Sequence, residues 1–117
     1  TTEFIERHEI FVACAADKPI GFYALVTING IIELDHLWVL PDWMGKGIGR
    51  ALLAHALDRA AAIGAERIEI VSDPNAEGFY RKAGARRIGE VLSTIEGHER
   101  KLPRLAIEIQ TTGDTLK

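Results

Sequence analysis

The apolar pattern changes period between Val39 and Ile48, and that switch restricts the chain to folds in which strands come first and a helix follows. Before the switch, residues 10–16, 20–28 and 31–40 are apolar, β-favouring runs. Asp17-Lys18-Pro19 separates the first two. Asn29-Gly30 separates the next two, with residues that tolerate the positive φ of a tight hairpin turn. Neither connection has room for a crossover helix, so the three runs are expected to pair as an antiparallel meander. After the switch, Ile48, Leu52, Leu53, Ala56, Leu57, Ala60 and Ile63 recur at helical spacing. They predict a helix over 48–63, closed by Gly64.

Residues 67–71 read as a strand, 75–83 as a second helix stopped by Gly84, and 86–92 and 105–109 as closing strands. Segment 93–104 reads as the loop between those last strands, and 111–117 as a polar tail. The order β-β-β-α-β-α-β-β describes one mixed α+β domain over 1–117, with its core from 10 to 109. A mostly antiparallel central sheet flanked by helices is the expected architecture.

Hydrophobic residues make up 47% and charged residues 26%, a balance that supports a packed core and excludes a disordered chain. The net charge of −3 lacks the basic excess of a nucleic-acid binder, so no nucleic-acid partner is expected. No apolar run approaches the roughly 20 residues that span a bilayer. The first residues also lack the charged-then-apolar pattern of a secretory leader, so no membrane association is expected. A single cysteine, Cys14, cannot form an internal disulfide, which points to a reducing cytoplasm. Within its apolar run Cys14 is expected to be a small core residue. His8, His55 and His98 show no ligand spacing with one another or with Cys14. No metal is expected, and each histidine reads as a surface or capping residue.

The stretch between strand and helix carries the chemistry. Gly45, Gly47 and Gly49 allow the backbone to approach an anion with no Cβ in the way. The N–H groups of Ile48 and its neighbours at the helix start are unpaired and lie at the positive end of the helix dipole. Lys46 and Arg50 add cationic charge. The glycines are followed by no Gly-Lys-Ser/Thr, as a nucleotide P-loop requires, and by no dinucleotide-type acidic residue after a parallel strand.

These residues, Leu37-Trp38-Val39-Leu40-Pro41 followed by Met44-Gly45-Lys46-Gly47-Ile48-Gly49-Arg50, resemble the acetyl-CoA motif of the GNAT superfamily of N-acetyltransferases. Met44 stands where that motif usually has Arg or Gln; the backbone cradle is unaffected. A second stretch, from Asn75 and Ala76 through Phe79-Tyr80 to Gly84-Ala85, is similar to the family's later signature. The pattern Ser93…Gly97…Leu102-Pro103 resembles an uncharacterised bacterial subgroup of the same family. The family begins with a strand and two helices that form one wall of the acceptor site, and only residues 1–8 stand in their place. That N-terminal portion is therefore expected to be shortened or to precede Thr1.

The resemblance implies transfer of an acetyl group from acetyl-CoA to a primary amine, on a small molecule or a peptide, by direct attack in a ternary complex. A non-catalytic acyl-CoA-binding or regulatory module would keep the same fold. Tyr80 matches the family's tyrosine beside the thioester sulfur and is implied as the acid for the leaving thiolate; packing of its ring in the core is the other reading. Glu33 lies where related histone acetyltransferases carry a glutamate, and is implied as the base. Simple alternation puts Glu33, Asp35 and Leu37 on one face of the strand, with His36 and Trp38 on the other. Asp35, His36 or a water could serve as base instead. Backbone groups at Leu37, Trp38 and Val39 are implied to pair with the pantetheine arm as a strand would. Asp73 or Asn75 could bond the same arm, or Asp73 could cap the second helix. Arg81, Lys82, Arg86 and Arg87 form a basic stretch that could meet the nucleotide end of the co-substrate or complement the helix C-terminus. In the family the 93–104 loop often borders the acceptor or a homodimer interface.

Overall fold

The computed structural model describes residues 6–95 and 97–109. A meander of β1 (Glu6–Ala15), β2 (Lys18–Ile28) and β3 (Ile31–Val39) leads through a short 3-10 turn (Pro41–Trp43) into α1 (Ile48–Ala62). There follow β4 (Arg67–Val71), a second 3-10 turn (Pro74–Ala76), α2 (Glu77–Lys82), β5 (Arg86–Ile95) and β6 (His98–Glu108). The six strands form one sheet in the order β1-β2-β3-β4-β6-β5. β3 and β4 are parallel because α1 carries the chain back between them; the other pairs are antiparallel. The α+β architecture read from the sequence is the one observed.

Three local readings change. The first hairpin turns at Ala16 and Asp17, both at positive φ (50° and 67°), so Lys18 and Pro19 belong to β2. Pro19 pairs opposite Cys14 next to a register irregularity, where a missing N–H is tolerated. The second hairpin turns at Asn29 and Gly30 as expected, with φ of 53° and 83°. Most of the expected 93–104 loop is strand: the β5–β6 ladder continues to Ile95 opposite His98. Pro103 does not break it, because it sits one residue beyond the last β4 partner of β6, Val71 opposite Arg104. Cys14 is exposed and lies outside the core, since alternate residues of edge strand β1 point away from α1.

α1 packs on β2, β3 and β4 through Leu52, Leu53, Ala56 and Ala60, the centre of the predicted stripe. These side chains meet Tyr23, Leu25, Leu34, Ile68, Ile70 and Leu105 in one core. Ile63, at the edge of the stripe, is the C-cap and stays 38% exposed. The Gly64 and Ala65 N–H groups then bond back to the carbonyls of Ala61 and Ala60, which terminates the helix. Tyr80 of α2 joins the same core, so both helices lie on one face of the sheet. Among the described residues no helix is long and apolar enough to cross a membrane.

The register overturns the simple alternation along β3. Ala24 faces His36 and Leu25 faces Leu34, so Asp35 is an extra residue without a β2 partner. Leu34 and Leu37 therefore share the α1 face with Leu25 and Tyr23. Glu33, opposite Val26, shares the other face with His36 and Trp38.

Candidate active site

The pairing of β3 and β4 is short. Ile32, Glu33 and Leu34 pair with Ile68, Glu69 and Ile70, and then the strands part. β3 runs on to Val39 while β4 ends at Val71. The β4-facing edge of Asp35, His36, Leu37, Trp38 and Val39 thus has no strand partner among the described residues, although His36 to Val39 stay paired with β2 on the opposite edge. Unpaired main-chain groups beside an open cleft are a template for an extended ligand.

The uncapped start of α1 adjoins the end of this edge. Gly45 and Gly47 have φ of 81° and 84°, conformations that a side chain would strain, and a Cβ on either would meet nothing within 4 Å. Gly47 is the N-cap and supplies no side-chain acceptor. Ala51 is the first residue to bond back, to the Gly47 carbonyl at 3.0 Å, which leaves the N–H groups of Ile48, Gly49 and Arg50 free for an anion. Gly49 is held by both walls of the cleft: a Cβ there would lie 3.5 Å from Phe79 of α2 and 3.8 Å from Val39 of β3. Lys46 has its ammonium 5.6 Å over the Trp43 ring, and Met44 is exposed. This donor set, open N–H groups with Lys46 and Arg50 beside them, suits the pyrophosphate of a coenzyme A.

Gly21, absent from the sequence reading, makes the close approach possible. A Cβ on it would fall 2.8 Å from the Trp38 carbonyl oxygen and 3.1 Å from Leu52. Glycine here lets β2 carry the end of β3 and the start of α1 together. The only sequence signal is an isolated glycine within a strand pattern.

Tyr80 is 7% exposed, and burial holds its phenol above the usual value. Its hydroxyl bonds to no described residue. Since no buried side-chain polar atom among the described residues is left unpaired, that hydroxyl reaches solvent. A phenol in this setting stays protonated at neutral pH.

Glu33 is tied into a charge network that the sequence reading missed. Arg104 Nη1 lies 3.4 Å from Glu33 Oε2 and 3.1 Å from Glu69 Oε1, and Arg67 Nη2 donates to Glu69 Oε2 at 2.8 Å. Glu69 is nearly buried and directly opposite Glu33, so the shared guanidinium offsets two like charges. Arg104 was hidden because Leu102-Pro103 reads as loop, and the apolar run Leu105-Ala106-Ile107 after it shows no alternation that would have pointed to it. On the same face, Asp35 Oδ2 lies 3.3 Å from His36 Nε2.

Asp73 acts as a cap: its Oδ1 accepts from the Asn75 N–H at 2.8 Å and holds the Pro74–Ala76 turn. Asn75 itself is exposed. The basic stretch is largely neutralised internally. Glu77 accepts from Arg81 at 3.0 Å and from Arg87 at 2.9 Å, and Arg86 pairs with Glu108. The Arg87 hydrogen bond, ahead of the Arg81 bond, holds Glu77 below the usual carboxylate range. His55 has a more specific role than expected: its Nδ1 lies 2.6 Å from the hydroxyl of Tyr23, whose phenol is pushed up to about 12, chiefly by burial. That pair borders an apolar cavity of about 300 Å³ between β1 and α1, apart from the β3–β4 opening. Among the described residues no group of three or more His, Cys, Asp or Glu is placed to hold a metal ion.

Known proteins resemble this chain in sequence and in fold. Residues 2–85 match the model of the "Acetyltransferase (GNAT) family". The chain is 33% identical over 88 residues to an uncharacterised N-acetyltransferase of Bacillus subtilis, YvbK, over 72% of this chain and 57% of that protein. It is also 33% identical over 89 residues to the peptidyl-lysine N-acetyltransferase YjaB of Salmonella typhimurium, over 75% of this chain and 57% of that one. The chain thus spans little more than half the length of these relatives. A solved acetyltransferase from Bacillus subtilis in complex with CoA superposes with a TM-score of 0.74 at 25% identity, over 89% of this chain and 78% of that chain. A parted parallel strand pair, an uncapped glycine turn below it and a match across 2–85 agree, and the chain belongs to the GNAT family of acetyltransferases.

Proposed function

We propose that the protein transfers an acetyl group from acetyl-CoA to a primary amine, by direct attack in a ternary complex. The observation that carries this reading is the five-residue overhang of β3 past Leu34, set beside the uncapped start of α1. The N–H groups at Gly45, Gly47, Ile48, Gly49 and Arg50 hold the pyrophosphate, with Lys46 and Arg50 as counter-charges. The free backbone edge at Leu37, Trp38 and Val39 pairs with the pantetheine arm and keeps the thioester in reach. Asn75, exposed at the far wall, is the remaining side-chain donor to that arm; Asp73 orders the turn that presents it.

In the transfer, the amine nitrogen forms a bond to the carbonyl carbon and the carbon–sulfur bond breaks. One proton leaves the nitrogen and one reaches the thiolate. Tyr80 supplies the second proton, supported by its protonated state and its solvent-reaching hydroxyl. Glu33 is the acceptor of the first. Arg104 already occupies one of its oxygens, so Asp35 with His36, or a water between them, is the alternative route.

The test joins calorimetric binding of acetyl-CoA to thiol release across a panel of amines. Amine-dependent release that drops at least tenfold in Tyr80→Phe, with acetyl-CoA affinity retained, is expected. Tight binding of acetyl-CoA with no release on any amine would instead identify a non-catalytic module.

A further inference from the structure

The turn that joins β3 to α1 carries more than a glycine cradle needs. Pro41 opens it, and two main-chain bonds brace it. The Trp43 N–H donates to the Leu40 carbonyl at 2.8 Å, and the Met44 N–H to the Pro41 carbonyl at 3.2 Å. The Leu40 N–H donates in turn to the Ile20 carbonyl of β2 at 2.8 Å, which fixes the turn to the sheet. Trp43 is thus a large ring on a braced stem and is only half-buried; Met44 beside it is 66% exposed. Neither is part of the core beneath α1. Apolar surface of this kind, set against a polar cradle, suits a flat aromatic group on the ligand.

Lys46 shows how near that ring lies to the cradle. Its backbone stands between Gly45 and Gly47, and its ammonium is 5.6 Å from the Trp43 ring centroid. The ring is therefore within one lysine side chain of the cradle, a span that a sugar and its base also cover. Among the described residues Lys46 has this ring contact and no carboxylate partner. The basic stretch at the end of α2 differs. Arg81 and Arg87 share Glu77, and Arg86 pairs with Glu108, so those charges are spent within the protein. An exposed cation–π contact is weaker than the stacking of a base on an aromatic side chain. Lys46 can thus yield the ring to a base and turn its charge to a phosphate.

We propose that Trp43 is the stacking platform for the nucleoside base of the co-substrate, and that Lys46, parked on its ring in the free protein, moves to the phosphates when the base takes its place. This deepens the co-substrate reading above and rests on it. Trp43 makes affinity depend on the end of coenzyme A farthest from the transferred group. The Lys46 charge is released only by a ligand that carries the base.

Trp38 and Trp43 are the two tryptophans of the chain, so Trp38→Phe leaves Trp43 as a single fluorescent reporter on the platform. Coenzyme A and dephospho-coenzyme A, which carry the base, should quench its emission saturably. Phosphopantetheine, which lacks the base, should bind without that quenching. By calorimetry, Trp43→Ala should weaken coenzyme A roughly tenfold and change phosphopantetheine by less than about twofold. Trp43→Phe should keep most of the affinity that Trp43→Ala loses. Lys46→Met should weaken coenzyme A by more than it weakens phosphopantetheine, because in the second complex the ammonium stays on the ring. Equal losses for the two ligands in Trp43→Ala would make the ring a brace for the turn and overturn the proposal. Equal quenching by phosphopantetheine, or equal losses in Lys46→Met, would overturn it too. The quenching comparison needs no change at position 43, so it holds even where Trp43→Ala fails to fold. Binding of coenzyme A without quenching refutes the platform and leaves the transfer reading standing. Saturable quenching with no thiol release from acetyl-CoA on any amine does the reverse, and no binding of coenzyme A at all overturns both.

Discussion

Gly21→Ala tests the packing on which the proposed co-substrate site depends. The new methyl would sit 2.8 Å from the Trp38 carbonyl oxygen and 3.1 Å from Leu52 Cδ1. Leu52 can rotate away, but the carbonyl belongs to β3, which is pinned to β2 at Gly21 opposite Val39. Relief of the contact requires β3 to retreat by about 0.7 Å, since attractive contacts begin near ~3.5 Å. Such overpacking costs about 2 kcal/mol. With a urea slope of about 1.5 kcal/mol/M, the unfolding midpoint should fall by more than ~1 M. The retreat occurs where the backbone is proposed to pair with pantetheine, so acetyl-CoA affinity should drop in the same variant. Gly78→Ala is the matched control. Gly78 lies in α2 with nothing within 4 Å of a built Cβ and no positive φ. Alanine there should raise the midpoint by roughly 0.5 M, through helix propensity and a less flexible unfolded chain. A Gly21→Ala midpoint within about 0.2 M of the parent would refute the argument, because a contact this short cannot be free of cost.

Three other perturbations follow from named contacts. Glu77 has a depressed folded pKa against an ordinary value of 4.5, chiefly through the Arg87 hydrogen bond. Its contribution is therefore complete above that ordinary value and is lost as pH falls through the folded one. Urea midpoints should fall more steeply below about pH 5 in the parent than in Glu77→Gln, and parallel curves would count against the bridge. Arg104→Met leaves Glu33 and Glu69 facing each other across β3–β4, and should destabilise by about 1–2 kcal/mol. Adding Glu33→Gln should recover part of that loss; no recovery in the double variant would show that the two carboxylates do not repel. Tyr23→Phe removes the 2.6 Å bond to His55 and should cost about 1 kcal/mol by urea unfolding, with an unchanged midpoint as the contrary result.

What could be read in advance was whatever a residue settles with its chain neighbours. Asn29-Gly30 turns a hairpin by its own φ preferences, Gly64 and Gly84 stop helices by theirs, and the 48–63 stripe packs the face that its spacing predicts. The readings that changed depend on partners far along the chain. Cys14 looked internal because its run is apolar, but what covers a strand is decided by the helices, and both lie on the other face. Arg104 looked like loop until β4 and β5 were placed on either side of it. The bulge at Asp35 is the most consequential case. No local preference announces it, because it exists only as a mismatch between β2 and β3. By adding one residue on β3, it keeps Leu34 and Leu37 on the core face while Glu33, His36 and Trp38 share the open one. Without it, Glu33 and Trp38 would lie on opposite faces, and Leu34 and Leu37 could not both pack against the core.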